Sequence, residues 1–110
     1  MTTLHESIVI ERTPQQVFAY VSDFSTCQEW DPGVVSARRT SNGPLGKGST
    51  FHVVCALPVG SIELAYEILE FVPEEKLVLI GRSRFFDVTD TITLRKTAQG
   101  CELDYEAVFE

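Results

Sequence analysis

Asp90 stands where the pattern around it asks for an apolar side chain. The segment Asp87-Val88-Thr89-Asp90-Thr91-Ile92-Thr93-Leu94 alternates with a period of two. Thr89, Thr91 and Thr93 share one face, and Val88, Asp90, Ile92 and Leu94 share the other. If Ile92 and Leu94 point inward, Asp90 does too. A carboxylate there must be paired, hydrogen-bonded, neutralised or wetted by a cavity. Inside a concave apolar face, desolvation favours its protonated form and prepares a proton donor or acceptor. The plainer alternative is a carboxylate near a strand end, bonded to a backbone amide or an arginine. A bulge at Asp87 to Thr89 would turn it outward.

Two further residues could exchange or relay a proton. His52 titrates near neutral pH if suitably oriented. Parity sets it with Thr50 and Val54, opposite Phe51, Val53 and Cys55, and leaves open which face is the inner one. Tyr66 shares parity with Ile62, Leu64 and Ile68 and is the best hydroxyl candidate, although buried tyrosines more commonly seal their hydroxyl against backbone. The candidate catalytic set is therefore Asp90, His52 and Tyr66. Arg84 lies near Asp87 and Asp90 in sequence, and its fork could hold a ligand carboxylate or pair an acidic residue.

Other chemistries lack their residues. His5 and His52 are far apart, and no Cys-x-x-Cys or His-Glu-x-x-His pattern occurs, so no metal or cofactor is expected. There is no Gly-x-Ser-x-Gly nucleophile elbow. The glycines of Ser41 to Gly48 lack a Gly-Lys-Ser/Thr ending and do not make a phosphate loop. Cys27, Cys55 and Cys101 are scattered and odd in number, which fits small hydrophobes in a reducing compartment.

The charge of −7 opposes a phosphate backbone, and no basic stripe offsets it, so nucleic acid is excluded as a partner. No run approaches about 20 apolar residues, so no membrane span is expected, and a cytoplasmic location is the default. The length of 110 residues bounds the chain to one domain.

The elements that must position these side chains can be read in order. Leu4 to Glu11 predicts a strand. Thr13-Pro14-Gln15-Gln16 has the spacing of a capping box with proline at the first helical position, opening a helix with Val17, Tyr20 and Val21 on one side. Ser25 to Glu29 predicts a second helical turn, ended by Trp30-Asp31-Pro32-Gly33. Trp30, the sole tryptophan, fits a plug between helices and sheet, with a ligand platform as the second reading. Strands then follow over Val34 to Arg39, Ser49 to Ala56, Ser61 to Phe71, Leu77 to Gly81, Phe85 to Leu94 and Cys101 to Phe109, separated by Gly/Pro turns.

This order of elements resembles the START-like superfamily, in its polyketide cyclase/dehydrase and lipid-transport branch, and the related birch-pollen-allergen fold. The resemblance lies in the strand entering Thr13-Pro14-Gln15-Gln16-Val17-Phe18, in Asp23-Phe24, Trp30-Asp31-Pro32 and Pro44-Leu45-Gly46-Lys47-Gly48-Ser49, and in Tyr66 to Pro73. It implies an α+β, helix-grip-like domain over residues 1–110: a curved antiparallel sheet of about six or seven strands, with two short helices after the first strand. Members usually continue into a long C-terminal helix that covers the concave sheet. No run of that kind follows Phe109. A shortened domain is therefore expected, either more open than its relatives or covered by a second copy in a homodimer.

The function expected from these readings is binding or carriage of a hydrophobic small molecule beside the sheet. The candidate lining is aromatic at Trp30, Phe51, Tyr66, Phe85 and Tyr105, and aliphatic at Ile62, Leu64, Ile92 and Leu103, with Asp90 and Arg84 as polar anchors. The resemblance also permits an aromatase/cyclase-like enzyme using acid–base chemistry on a polyketide-like substrate. A structural or interaction domain is the third reading, resting on the uncovered apolar face.

Overall fold

A computed structural model describes residues 1–110. The chain runs β1 (Thr2–Ile10), α1 (Pro14–Ser22), a 3-10 turn (Phe24–Thr26), α2 (Cys27–Trp30), β2 (Val34–Arg39), β3 (Thr50–Ala56), β4 (Ser61–Val72), β5 (Lys76–Arg82), β6 (Asp87–Thr97) and β7 (Gly100–Phe109). All seven strands form one antiparallel sheet in the order β1-β7-β6-β5-β4-β3-β2. β2 to β7 is an uninterrupted meander. β1 closes beside β7, so β1 and β2 lie at opposite edges although they are neighbours among the strands in sequence. The segment between them must travel from one edge to the other. Its helices do so on the concave side, where they cover part of the apolar face.

α1 starts where its cap chemistry sets it. The Thr13 hydroxyl accepts from the Gln16 amide at 3.1 Å, and the Gln16 side chain accepts from the Thr13 amide at 3.1 Å. This reciprocal pair satisfies two amides that the first helical turn leaves free. Val17, Phe18 and Val21 then face the sheet, with Phe18 edge-on to Phe71 at 5.1 Å. Phe24 drives the 3-10 turn into the core, packing against Tyr66, Trp30 and Phe51. Asp23 caps that turn by accepting from the Ser25 amide and hydroxyl.

β4 is a long strand with a change of parity. Ile62, Leu64, Tyr66 and Ile68 face inward. Its pairing with β5 then shifts between Ile68 and Glu70, so Leu69 is the extra residue of a bulge and Phe71 turns in toward α1. β6 differs from its predicted span: it begins at Asp87 and reaches Thr97. The Ser83 hydroxyl accepts from the amides of Phe85 and Phe86 at 3.2 and 3.1 Å and donates to the Phe86 carbonyl. Those bonds hold a turn where the sequence predicted extended chain.

Candidate functional site

Asp90 sits mid-strand on β6, between Leu79 of β5 and Ala107 of β7, and is 2% exposed. Its strand parity is the one the threonine alternation predicts. No bulge turns it outward: pairing runs without a shift from Lys76–Thr93 to Arg82–Asp87.

Two tyrosine hydroxyls lie beside its carboxylate and ease its charge. Tyr105 pairs with Ile92 on β7, one diagonal step from Asp90 on the same face. Tyr66 is two strands away on β4 and must reach across β5. Gly81 makes that reach possible. It pairs with Tyr66 in the register, and a Cβ built on it would meet Tyr66 ring atoms at 2.6 to 2.8 Å. Any larger residue there would lift the ring away.

Burial is the dominant influence on Asp90 and pushes its carboxyl up to about 6. The nearby Tyr105 and Tyr66 hydroxyls act the other way, and the Asp31 carboxylate adds a small upward push. Both hydroxyls are in turn held well above the ordinary phenol range, chiefly by burial and then by the Asp90 charge. Both therefore stay protonated near neutral pH. Burial likewise lifts the Cys27 thiol up to about 12 and the Cys55 thiol upward, which marks both as unreactive.

The concave face is not fully filled. A chamber of about 640 Å³ lies over β3, β4, β6 and β7, with Ile62, Leu64, Tyr66, Phe86, Val88, Asp90, Tyr105, Ala107 and Phe109 among its walls. A second chamber of about 530 Å³ lies between α1 and the strands β1, β6 and β7, walled by Ile8, Ile10, Val17, Tyr20, Ile92 and Leu103. Both border Glu6, Trp30 and Tyr105. The indole stands edge-on to the Tyr105 ring at 6.0 Å, forming a ridge between them. Volumes of this order suit small organic ligands.

The structure brings together Trp30, Ile62, Leu64, Tyr66, Asp90, Ile92, Leu103 and Tyr105 around these two chambers. Four other candidates lie elsewhere. His52 is on the convex face, because Phe51 and Val53 take the inner one. Its Nε2 lies 3.3 Å from the exposed Glu63 carboxylate. Phe51 is inward but sealed beneath Phe24. Phe85 is 79% exposed on the Ser83 turn, with the Arg84 guanidinium 5.8 Å above its ring, and neither enters a chamber. Phe86 takes the inward place, edge-on to Phe109 at 5.7 Å. Even-numbered parity through Val88, Asp90 and Ile92 would have selected Phe86 over Phe85. The inner residues of β1, and Asp31 at the end of α2, were also not anticipated. Asp31 carries no periodic signal, and β1 looks two-faced in sequence because both its faces are largely exposed.

Residues 1–110 match the family described as polyketide cyclase/dehydrase and lipid transport. No curated protein sequence matches the chain. Among solved structures, the fold is shared with DR_A0006 from Deinococcus radiodurans at a TM-score of 0.78 and 15% identity, covering 100% of this chain and 83% of that one. A START superfamily protein from Mycobacterium smegmatis superposes at 0.77 and 10% identity, covering 98% and 76%. The di-domain ARO/CYC StfQ of the steffimycin biosynthetic pathway superposes at 0.76 and 14% identity, covering 97% of this chain and 36% of that one. With its seven-stranded curled sheet gripped by two short helices, this chain has the fold of these structures and belongs to the polyketide cyclase/dehydrase and lipid-transport family.

Proposed function

We propose that this domain binds and carries a hydrophobic small molecule in the trough between its helices and the concave sheet. The observation that carries this reading is a buried carboxylate, flanked by two tyrosines, at the wall of a mainly apolar chamber of about 640 Å³. Apolar walls supply affinity and a few fixed polar atoms supply orientation. Such an arrangement costs stability, and a ligand-free structural role gives no return for that cost. Trp30 borders both chambers and is the only tryptophan, so its emission reports occupancy directly. Titration with a neutral fluorescent hydrophobe such as N-phenyl-1-naphthylamine should enhance probe fluorescence and change Trp30 emission together, saturably. A flat response in both signals would reject carriage. The three free cysteines accord with a reducing, cytoplasmic setting for this role. No helix is long and apolar enough to cross a membrane. The expected homodimer rests only on the uncovered sheet face, and nothing further supports it.

One observation favours a cyclase-like second reading: a carboxyl pushed up to about 6 is poised near neutral pH to take a proton from an activated carbon. Tyr66 and Tyr105 would then hold the developing charge by hydrogen bonding. Product analysis with a panel of polyketide-like substrates, with a pH–rate profile, separates turnover from carriage. The absence of product across the panel would remove this reading and leave the first untouched.

A further inference from the structure

The ionisable side chains of the larger chamber are nearly all acids. An ionised carboxylate has about four lone-pair positions and no proton to give. The Tyr66 and Tyr105 hydroxyls beside it stay protonated, held so by burial and by the Asp90 charge. The three side chains together present one negative charge and no positive one. The other donors at the chamber are engaged elsewhere. The Trp30 indole N–H donates to the Thr26 hydroxyl at 3.1 Å, and the His5 Nε2 lies 2.6 Å from the Asp104 carboxylate. Asp31 uses one oxygen to accept from the Gly33 amide at 2.9 Å and keeps its remaining lone pairs.

Charge runs the same way. The carboxylates bordering this chamber are Glu6, Asp31 and Asp90, and its one basic side chain, His5, is turned to Asp104. Arg12 belongs to the other chamber. The chain as a whole carries −7. A low-dielectric cleft lined by one sign of charge concentrates that sign's field.

We propose that the ligand of the larger chamber is a hydrophobic molecule bearing a protonated amine, held by Asp90 between Tyr66 and Tyr105, and that fatty-acid-like carboxylates are rejected. This rests on the carriage reading and adds the head group to it. An ammonium supplies donors to the carboxylate and the charge that it complements. A carboxylate ligand would set two like charges face to face beside apolar walls, with His5, the one basic side chain of the chamber, turned to Asp104.

The test holds the apolar tail constant. The bound naphthylamine probe is displaced by dodecylamine, dodecanol or dodecanoate, below their micellar concentrations, for wild type and for Asp90→Asn. At about pH 7.5 dodecylamine should compete at least ~10-fold more tightly than dodecanoate, with dodecanol between them, as expected for a charge pair or clash near a protein interior. Asp90→Asn should shrink that ratio several-fold. In wild type, lowering the pH to about 5 should weaken dodecylamine relative to dodecanol, a pair whose own charges do not change in that interval. Tyr66, Tyr105, Cys27 and Cys55 face Asp90 and stay protonated throughout, and Glu6 and Asp31 are the other carboxylates at the chamber. The same series in His5→Gln keeps the one basic side chain of the chamber out of the comparison. This pH series decides the matter even if Asp90→Asn fails to fold. Equal or tighter binding of dodecanoate at about pH 7.5 overturns the proposal while carriage stands. So does an amine preference that neither Asp90→Asn nor acid reduces, since that would come from surface charge. If the probe and all three chains fail to bind, carriage itself falls.

Discussion

Replacing Asp90 by asparagine should change how stability depends on pH, and the size of the change follows from the fold. Burial takes the carboxyl from 3.8 to about 6. That is about two units, and at about 1.4 kcal/mol per unit it amounts to about 3 kcal/mol. The folded chain binds this proton more tightly than the unfolded chain. Its contribution is therefore complete below about pH 4 and is lost as pH rises through about 6. Asparagine does not titrate. Wild type should thus lose about 3 kcal/mol relative to Asp90→Asn between about pH 4 and pH 7.5. Differences in local packing between amide and acid form a constant offset and leave this slope unaffected. Urea unfolding followed by circular dichroism at half-unit steps of pH gives both curves. Parallel curves would show that Asp90 is wetted or is not buried as described. A gap that widens in favour of wild type as pH rises would show that the flanking tyrosine hydroxyls outweigh desolvation, reversing the electrostatic argument.

Other outcomes follow from the same geometry. Gly81→Ala should push the Tyr66 ring off its seat and cost about 1–3 kcal/mol. A cycle with Tyr66→Phe, read by denaturation, should show that removing the hydroxyl costs less once Gly81 is replaced; full additivity would disprove the reach across β5. His52→Ala should leave probe affinity unchanged and shift stability by less than about 0.5 kcal/mol, because it removes only an exposed contact to Glu63. Phe86→Ala should weaken probe binding by about 1 kcal/mol while Phe85→Ala does not, and equal effects in fluorescence titration would contradict the inward assignment of Phe86. Trp30→Phe should abolish the ligand-dependent change in protein emission without preventing probe binding.

The sequence carried the site's centre because one charged residue broke a regular alternation. Asp90 needed no partner to be conspicuous, and Tyr66 lay on a strand whose apolar face was unambiguous. The sheet and its two helices were readable for similar reasons: β4 and β7 alternate clearly, and Thr13 to Gln16 has a cap spacing with few other uses. What was hidden depended on contacts distant in sequence. Nothing near Gly81 announces that a tyrosine from the neighbouring strand lies over it. The inner face of β3 is settled only when Phe24 arrives to cover Phe51, and that choice sends His52 outward. The strand start at Asp87 depends on a serine hydroxyl holding a turn, and missing it exchanged Phe85 for Phe86.

The bulge at Leu69 gives the far half of β4 a slack residue that its composition would never reveal. Were Leu69 drawn into regular pairing with β5, Glu70 would be pressed against Phe18 and Phe71 would swing to the solvent side. Losing Leu69 altogether leaves both faces as they are, because Glu70 still pairs with Val78 and Phe71 with Leu77. A lineage exploring deletions can therefore shed this one residue, where a loss elsewhere in the strand would turn its faces over.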